Sequence, residues 1–418
     1  MNEIKVRVEI RSRLVVAGLI SFVFSLWQFD AAAQEKILAR VVVTEPVGVQ
    51  RETEYIELSL QCDDSLLNST HEIFAFDEAS DLTISCQLFD VRSSDGKSAF
   101  SVVFPVLLRA HETRTFQLRT FPVGLEKGNS DLTLEGEGTE LRVANSFYAA
   151  DLTRSDQAEP KSHPSGQIRE LLIKMSFNQL LTNGEDRVHW APNFKRPELE
   201  YYTTIAHWQN PKINQVEHGQ FLVRTARQDW APNHPEILLT AVYKFYANLP
   251  YFRFYSSMEM KQDVWLELLR NDEMTMDSMF THLAFQRPSG EVVEVEIEKR
   301  HALLQAHPIE DDAPWLCFYH IDKGFAFGTI RLKYDNTNEF GGPSLTYQPH
   351  TQIGQWLDRR YWNRRLIHDR LTFVPKGSRY VEENAYLVFR IGDVSRLEEI
   401  QKWTKVLRNP VRASVSPM

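Results

Sequence analysis

Residues 236–260 read EILLTAVYKFYANLPYFRFYSSMEM. Two runs rich in aromatic and β-branched side chains flank a short break at Asn248, Leu249 and Pro250. Such residues fit a pleated, half-buried surface, and each run is too long for a short edge strand. The pair predicts two long antiparallel strands. The pattern recurs in GQFLVRTARQDW, EVVEVEIEKR, WLCFYHID, GFAFGTIRLKYD and AYLVFRIGD. Many long strands with few helices predict a large antiparallel β super-sandwich over residues 141–410.

Upstream, ARVVVTEPVGV, EYIELSLQC, LTISCQLFDV and SAFSVVFPVLL are shorter strand-like runs separated by SSDGK, EKGNSD and EGEG. They predict a small β-sandwich or barrel over residues 34–140. The polar stretch Asp151–Gln167 reads as a loop inside the first hairpin of the second unit, and residues 411–418 read as a tail. Two helices are expected, in VWLELLRNDEM and VSRLEEIQKWTKVLR. The second places Leu397, Ile400, Trp403 and Leu407 on one face for packing.

Residues 1–33 read as a secretory leader: Lys5, Arg7, Arg11 and Arg13, then the apolar run Leu14–Trp27, then Ala31, Ala32 and Ala33. Cleavage is expected near Ala33 or Gln34, leaving a secreted or periplasmic chain without a membrane span. A net charge of −9 argues against a general nucleic-acid binder. Three cysteines do not make a disulfide scaffold. Cys62 and Cys86 either pair in an oxidising compartment or remain thiols, and the sequence leaves both readings open.

The order VVVTEPVGVQRETEYIELSL, VANSFYAADL, SGQIREL, VEHGQFLVRT, VYKFYANLPYFRFYSSMEM resembles the secreted exo-acting rhamnogalacturonan-lyase-like proteins. Those carry a small N-terminal β-barrel before a mutarotase-like super-sandwich. The resemblance spans most of the chain beyond the leader and implies a carbohydrate-active protein, with a polysaccharide lyase as the specific expectation. The implied partner is an acidic oligo- or polysaccharide.

Elimination from a uronate needs a group that quiets the carboxylate, a base for the adjacent proton, and an acid for the leaving oxygen. RRYWNRRLIHDR fits best. Arg360, Arg364 and Arg365 can grip carboxylates in bidentate forks, with Tyr361, Trp362 and His368 among them. The bland alternative is a solvated basic strand paired with Asp358 and Asp369. A second cluster is Arg270, Asn271, Asp272 and Glu273, followed by His282. On a helix, Arg270 and Glu273 would be a simple ion pair. A third holds two His-Trp pairs, His189–Trp190 and His207–Trp208, with Tyr201 and Tyr202 nearby. Trp offers a flat face for sugar C–H groups and His a group titrating near neutrality, though an aromatic packing corner would look the same. The expected catalytic set is His207 or His282 as base, Tyr361 as acid, and Arg364, Arg365 and Asn271 against the uronate. Trp190, Trp208 and Trp362 would carry sugar rings; His189, Tyr202, Arg270, Glu273, Arg360 and His368 would line the site.

The loop KYDNTNEFGGPS supplies Asp335, Asn336, Asn338 and Glu339, oxygen ligands that calcium would accept, but turn-forming residues are the simpler reading. No cofactor fingerprint, nucleophile elbow or zinc motif is present. Two alternatives stand beside the lyase: glycoside hydrolysis by Glu273 with Asp272 or Glu217, and non-catalytic binding of an acidic glycan.

Overall fold

The computed structural model describes residues 36–63, 71–122, 128–152, 165–175, 178–183, 187–306, 308–356, 358–392 and 395–417. The leader reading and most of the Asp151–Gln167 loop lie outside the described residues. The fold is mostly β, as the alternation predicts. Among the described residues no helix is long and apolar enough to cross a membrane.

The small unit is a sandwich of a five-stranded and a three-stranded sheet. Alternate residues of Lys36–Thr44 (Ala39, Val41, Val43) face inward and meet Phe104, Phe116 and Leu118 in a closed core. Each of these side chains larger than alanine contributes about 1.5–3 kcal/mol by leaving water. Residues 411–418 correct the expectation of a tail. Arg412–Pro417 forms a strand that pairs antiparallel with Lys36–Thr44, Val41 opposite Val415, so the two ends of the described chain share one sheet. Cys62 and Cys86 both pack against this core and are not joined by a disulfide.

The large unit is a nine-stranded antiparallel sheet whose inner face packs against two five-stranded sheets through one continuous core. The pair read first, His234–Tyr246 and Tyr251–Met260, are neighbours in the nine-stranded sheet. Tyr243, Phe245, Phe252 and Phe254 point to the inner core, whereas Tyr246 and Tyr251 point to the outer face. That outer face is covered in part by the three-stranded sheet and by the helix Glu398–Leu407. The helix is the one expected in VSRLEEIQKWTKVLR. Its Ile400 and Leu407 are buried, Trp403 meets Tyr251 edge-on at 5.2 Å, and Glu398 and Glu399 stand in its first turn where the helix dipole favours them.

One arginine bolts the two units together. Arg51 donates to Glu45 and Glu54 at 3.0 Å each, and to the carbonyls of Val406 (3.0 Å) and Asn409 (2.7 Å) at the end of that helix. Arg51 and Glu45 are shut away from water, Glu54 nearly so. Burial works against the Glu45 charge, but the backbone N–H of His111, the Arg51 guanidinium and the N–H groups of Val47 and Gly48 hold its carboxyl down to about 2.

The second expected helix is absent. VWLELLRNDEM becomes two strands, Val264–Leu266 and Leu268–Asp277. Both faces of Leu268–Asp277 are covered, so its apolar residues do not alternate and imitate a helical spacing. A bulge between Asn271 and Met274 in its pairing with Arg359–Ile367 breaks the alternation further. Asp272 sits in that bulge with φ of 48°, a conformation that Asp and Asn adopt more readily than other side chains.

Candidate functional site

The bulge sorts the cluster Arg270–Glu273 onto two faces of its sheet. Asn271 and Asp272 turn inward. Asn271 exchanges hydrogen bonds with Ser256 of the facing sheet. The fully buried Asp272 carboxylate accepts from Arg331 Nε (3.2 Å), Trp362 Nε1 (3.1 Å) and the Tyr386 hydroxyl (3.1 Å). Arg364 also turns inward, pairing with Asp311 at 2.9 Å and Glu382 at 3.4 Å. Asn271, Trp362 and Arg364 were expected to hold substrate. They are corrected to core roles, because their polar atoms are spent on internal partners and Trp362 packs edge-on against Phe318.

This inner network has a pH signature. Burial pushes the Glu382 carboxyl up to about 7, against the pull of Arg364 and with the push of Asp272. The folded state therefore holds a proton that the unfolded chain has released between about 4.5 and about 7. Stability from this group is fully present below that window and falls as pH rises through it. Glu382→Gln is expected to flatten the fall: urea unfolding at pH 5 and pH 7.5 should show wild type losing at least about 1 kcal/mol more than the variant. Equal losses would refute the assignment.

Arg270 and Glu273 turn to the opposite, outer face. The five-stranded sheet aligns Thr204, Asn193, Arg270, Arg365 and His350 as successive cross-strand partners. Neighbouring strands lie about 4.8 Å apart, so this row brings together residues up to 157 positions distant in sequence (350 − 193). Asn193 Nδ2 donates to Glu273 Oε2 at 2.6 Å, and Arg270 stands 3.8 Å from the same oxygen. Burial raises the Glu273 carboxyl, with Arg270 and Arg365 opposing it. Burial and the neighbouring Arg270 guanidinium push Arg365 down to about 10. Arg365 contacts His368 and lies 3.7 Å from the exposed Asp369. Burial and Arg365 lower the His368 imidazole, which favours its neutral form. His368 meets His350 edge-on at 5.0 Å, and Arg270 lies over the Tyr202 ring at 5.4 Å. Tyr361 and Asn363 share the outer face with Arg365 by strand alternation. The Tyr361 ring lies so close over Gly354 that a Cβ there would meet it at 2.0 Å, which is why that strand carries glycine.

Two polar atoms of this face, Asn193 Oδ1 and Asn363 Nδ2, are buried with no hydrogen-bond partner among the described residues. The arrangement is two guanidiniums and two imidazoles around one buried carboxylate, with phenols at both sides. It can accept an anion and can hold or release a proton at His368.

Trp190 joins the same sheet edge, its N–H bonded to the Glu273 carbonyl and its indole edge-on to His207 at 6.4 Å. His207 ends a short 3-10 turn and opens on a shallow depression of about 500 Å³ with Gln209, Pro232 and Asn233. The remaining residues go elsewhere. His189 is fully buried against Tyr243 and Phe254, and burial holds it well below the ordinary imidazole range. Trp208 is buried and donates to the Trp230 carbonyl at 2.8 Å. Arg360 is paired with Glu298 at 2.6 Å. His282 lies on the nine-stranded sheet, stacked on Tyr319 at 5.0 Å, opposite Glu296 and away from the Arg270–Arg365 row. These positions remove His189, Trp208, Arg360 and His282 from the site.

Paired-carboxylate hydrolysis loses both of its expected pairs. Asp272 and Glu273 are on opposite faces, and Glu217 belongs to the nine-stranded sheet, bound to Arg224 at 2.6 Å. In the 335–344 loop, Asp335 accepts from Thr337 N–H and Asn338 from Phe340 and Gly342 N–H, the bonds of turns. Among the described residues no three His, Cys, Asp or Glu side chains gather as a metal site. Asn193 and His350 were missed. The first lies in a loop-like WAPN repeat, and the second is a lone His without a local pattern.

No family model matches the chain. No curated protein matches it either. Solved structures do. A protein of glycosyl hydrolase family 38 from Enterococcus faecalis superposes with TM-score 0.50 at 11% identity, covering 91% of this chain and 47% of that one. An alpha-mannosidase from Enterococcus faecalis V583 gives TM-score 0.52 at 10% identity, covering 90% and 46%. The chain thus spans about half the length of these proteins. At such identity the likeness is one of fold. The likeness supports the β-rich architecture that the sequence resemblance implies and does not extend to the rhamnogalacturonan-lyase-like family specifically.

Proposed function

We propose that this protein is carbohydrate-active and binds an acidic glycan across the outer face of the five-stranded sheet. The observation that carries this reading is the side-by-side placement of Arg270 and Arg365 with, among the described residues, Glu273 and the exposed Asp369 as the carboxylates within 4 Å of them. Two guanidiniums held together and partly dehydrated favour an anion that can take both forks, as a uronate carboxylate does. Tyr202, Tyr361 and Trp190 supply ring faces beside them. The fold likeness to two carbohydrate enzymes supports the sugar half of the reading. If the expected leader is removed on export, that glycan is met outside the cytoplasm.

A second reading adds cleavage. His368, favoured in its neutral form beside Arg365, is an unprotonated imidazole available as a base, and Tyr361 stands on the same face as a phenolic acid. That set serves β-elimination, whereas the glycoside hydrolase likeness favours hydrolysis. One digestion separates the three. A panel of uronate-bearing polysaccharides and oligosaccharides is incubated with the protein, and ultraviolet absorbance, reducing ends and mass are followed. Unsaturated products mean elimination, saturated fragments mean hydrolysis, and intact but retained oligosaccharide means binding alone. In each case Arg365→Met should weaken the interaction at least about tenfold, the loss expected for a charge contact of this burial. An unchanged affinity in that variant, or no member bound or cut, would remove the proposal.

A further inference from the structure

A second recess lies on the other side of the nine-stranded sheet, where the three-stranded sheet of the small unit stands off from it. It encloses about 350 Å³. Its floor is another transverse row: Glu217, Arg224, Lys244 and Arg253 are successive cross-strand partners. Its roof comes from the strand Arg51–Asp63, with Glu57 and Ser59 one pleat apart, and from Ser101 opposite Ser59. A bulge after Phe89 puts Asp90 at φ of 51° and lets its N–H reach the Glu217 carboxylate, which closes one end.

Most charges here are already paired. Glu57 accepts from the Tyr246 hydroxyl at 2.6 Å and from Lys244, and Arg224 donates to Glu217 at 2.6 Å. Arg253 and Glu383 are different. Arg253 lies over the Tyr246 and Tyr251 rings at 5.7 and 5.9 Å and interacts with the Tyr251 hydroxyl, but its Nη1 stands 3.6 Å from Glu383 Oε1, an ion pair too long for a hydrogen bond, and its Nε is buried with no hydrogen-bond partner among the described residues. The recess therefore offers donors on one wall point and acceptors beside them, with the half-buried Tyr255 ring adjacent. The lining cations Arg224, Lys244 and Arg253 are met by Glu57, Asp90 and Glu383, with Glu217 at the closed end as a fourth carboxylate, so an anionic ligand gains nothing from the field. A polyhydroxyl ligand gains from both signs. Adjacent hydroxyls can accept from Arg253 and donate to Glu383, and carbon-bound hydrogens can lie on Tyr255.

We propose that this interdomain recess is a binding site for a neutral sugar of one or two rings, bridged between Arg253 and Glu383. The volume falls at the small end of ligand sites. It lies on the outer face of the nine-stranded sheet and shares no residue with the Arg270–Arg365 row, so it stands whether or not the acidic-glycan reading does.

The test uses the full chain titrated with glucose, mannose, galactose and cellobiose, with glucuronate as the charged comparison. Saturation-transfer NMR and calorimetry read binding. At least one neutral sugar is expected to bind with Kd of about 1 mM or tighter. Arg253→Met should weaken it at least about tenfold. Ser101→Trp, at a half-exposed strand position, should fill the recess and abolish binding with the circular dichroism unchanged. No neutral sugar bound at roughly 20 mM would overturn the proposal. So would binding that survives Ser101→Trp, or glucuronate displacing the neutral sugar at lower concentration.

Discussion

Asp272→Ala should cost about 3–5 kcal/mol of stability at pH 7.5. The substitution leaves Arg331, itself buried, without the carboxylate that accepts from it at 3.2 Å. It also strips the acceptor from the Trp362 indole and the Tyr386 hydroxyl, and leaves an alanine at φ of 48°. Asp272→Asn should cost only roughly 1–3 kcal/mol, because the amide oxygen still accepts and Asn tolerates the left-handed backbone. Guanidinium titration of both variants is the measurement. An Asp272→Ala protein within about 1 kcal/mol of wild type would show that the network contributes little net stability, as some buried ion pairs do when desolvation cancels attraction.

Removing Arg51 should have an effect of similar size but in a different place. Arg51→Ala leaves Glu45 and Glu54 facing each other without the guanidinium that donates to both, and cuts two bonds to the end of the helix Glu398–Leu407. The expected cost is again about 3–5 kcal/mol, concentrated in the small sandwich. For a unit of its size that lowers its transition by roughly 12–40 °C. Calorimetry should show an early transition separating from that of the large unit. Arg51→Lys keeps the charge but not the planar fork and should fall between. A single, unshifted transition in Arg51→Ala would mean that the carboxylates find other partners and that the bolt is not needed.

The division between what was legible in the chain and what was not follows from the range of the forces involved. Strand alternation is local: each residue's side is set by the pleat, so Ala39, Val41 and Val43 announced a buried face, and Ile400 and Leu407 announced a packing helix. The mostly β architecture followed from such patterns. Where both faces are buried the alternation vanishes, and that is how Leu268–Asp277 passed for a helix; Arg412–Pro417 passed for a tail for the opposite reason, as an exposed edge strand with no buried apolar face. The side on which each charge falls was beyond local reading. One extra residue in the bulge at Asp272 sends that carboxylate into the core and the next one out, and nothing in the string RNDE distinguishes them. Cross-strand register alone set Asn193, Arg270, Arg365 and His350 in a row, as it set Arg224 beside Lys244 and Arg253. Residue types were therefore determined by the sequence. Which of them meet, and which spend their charge on one another, was decided by pairings between distant strands, whose free energy belongs to no single stretch of chain.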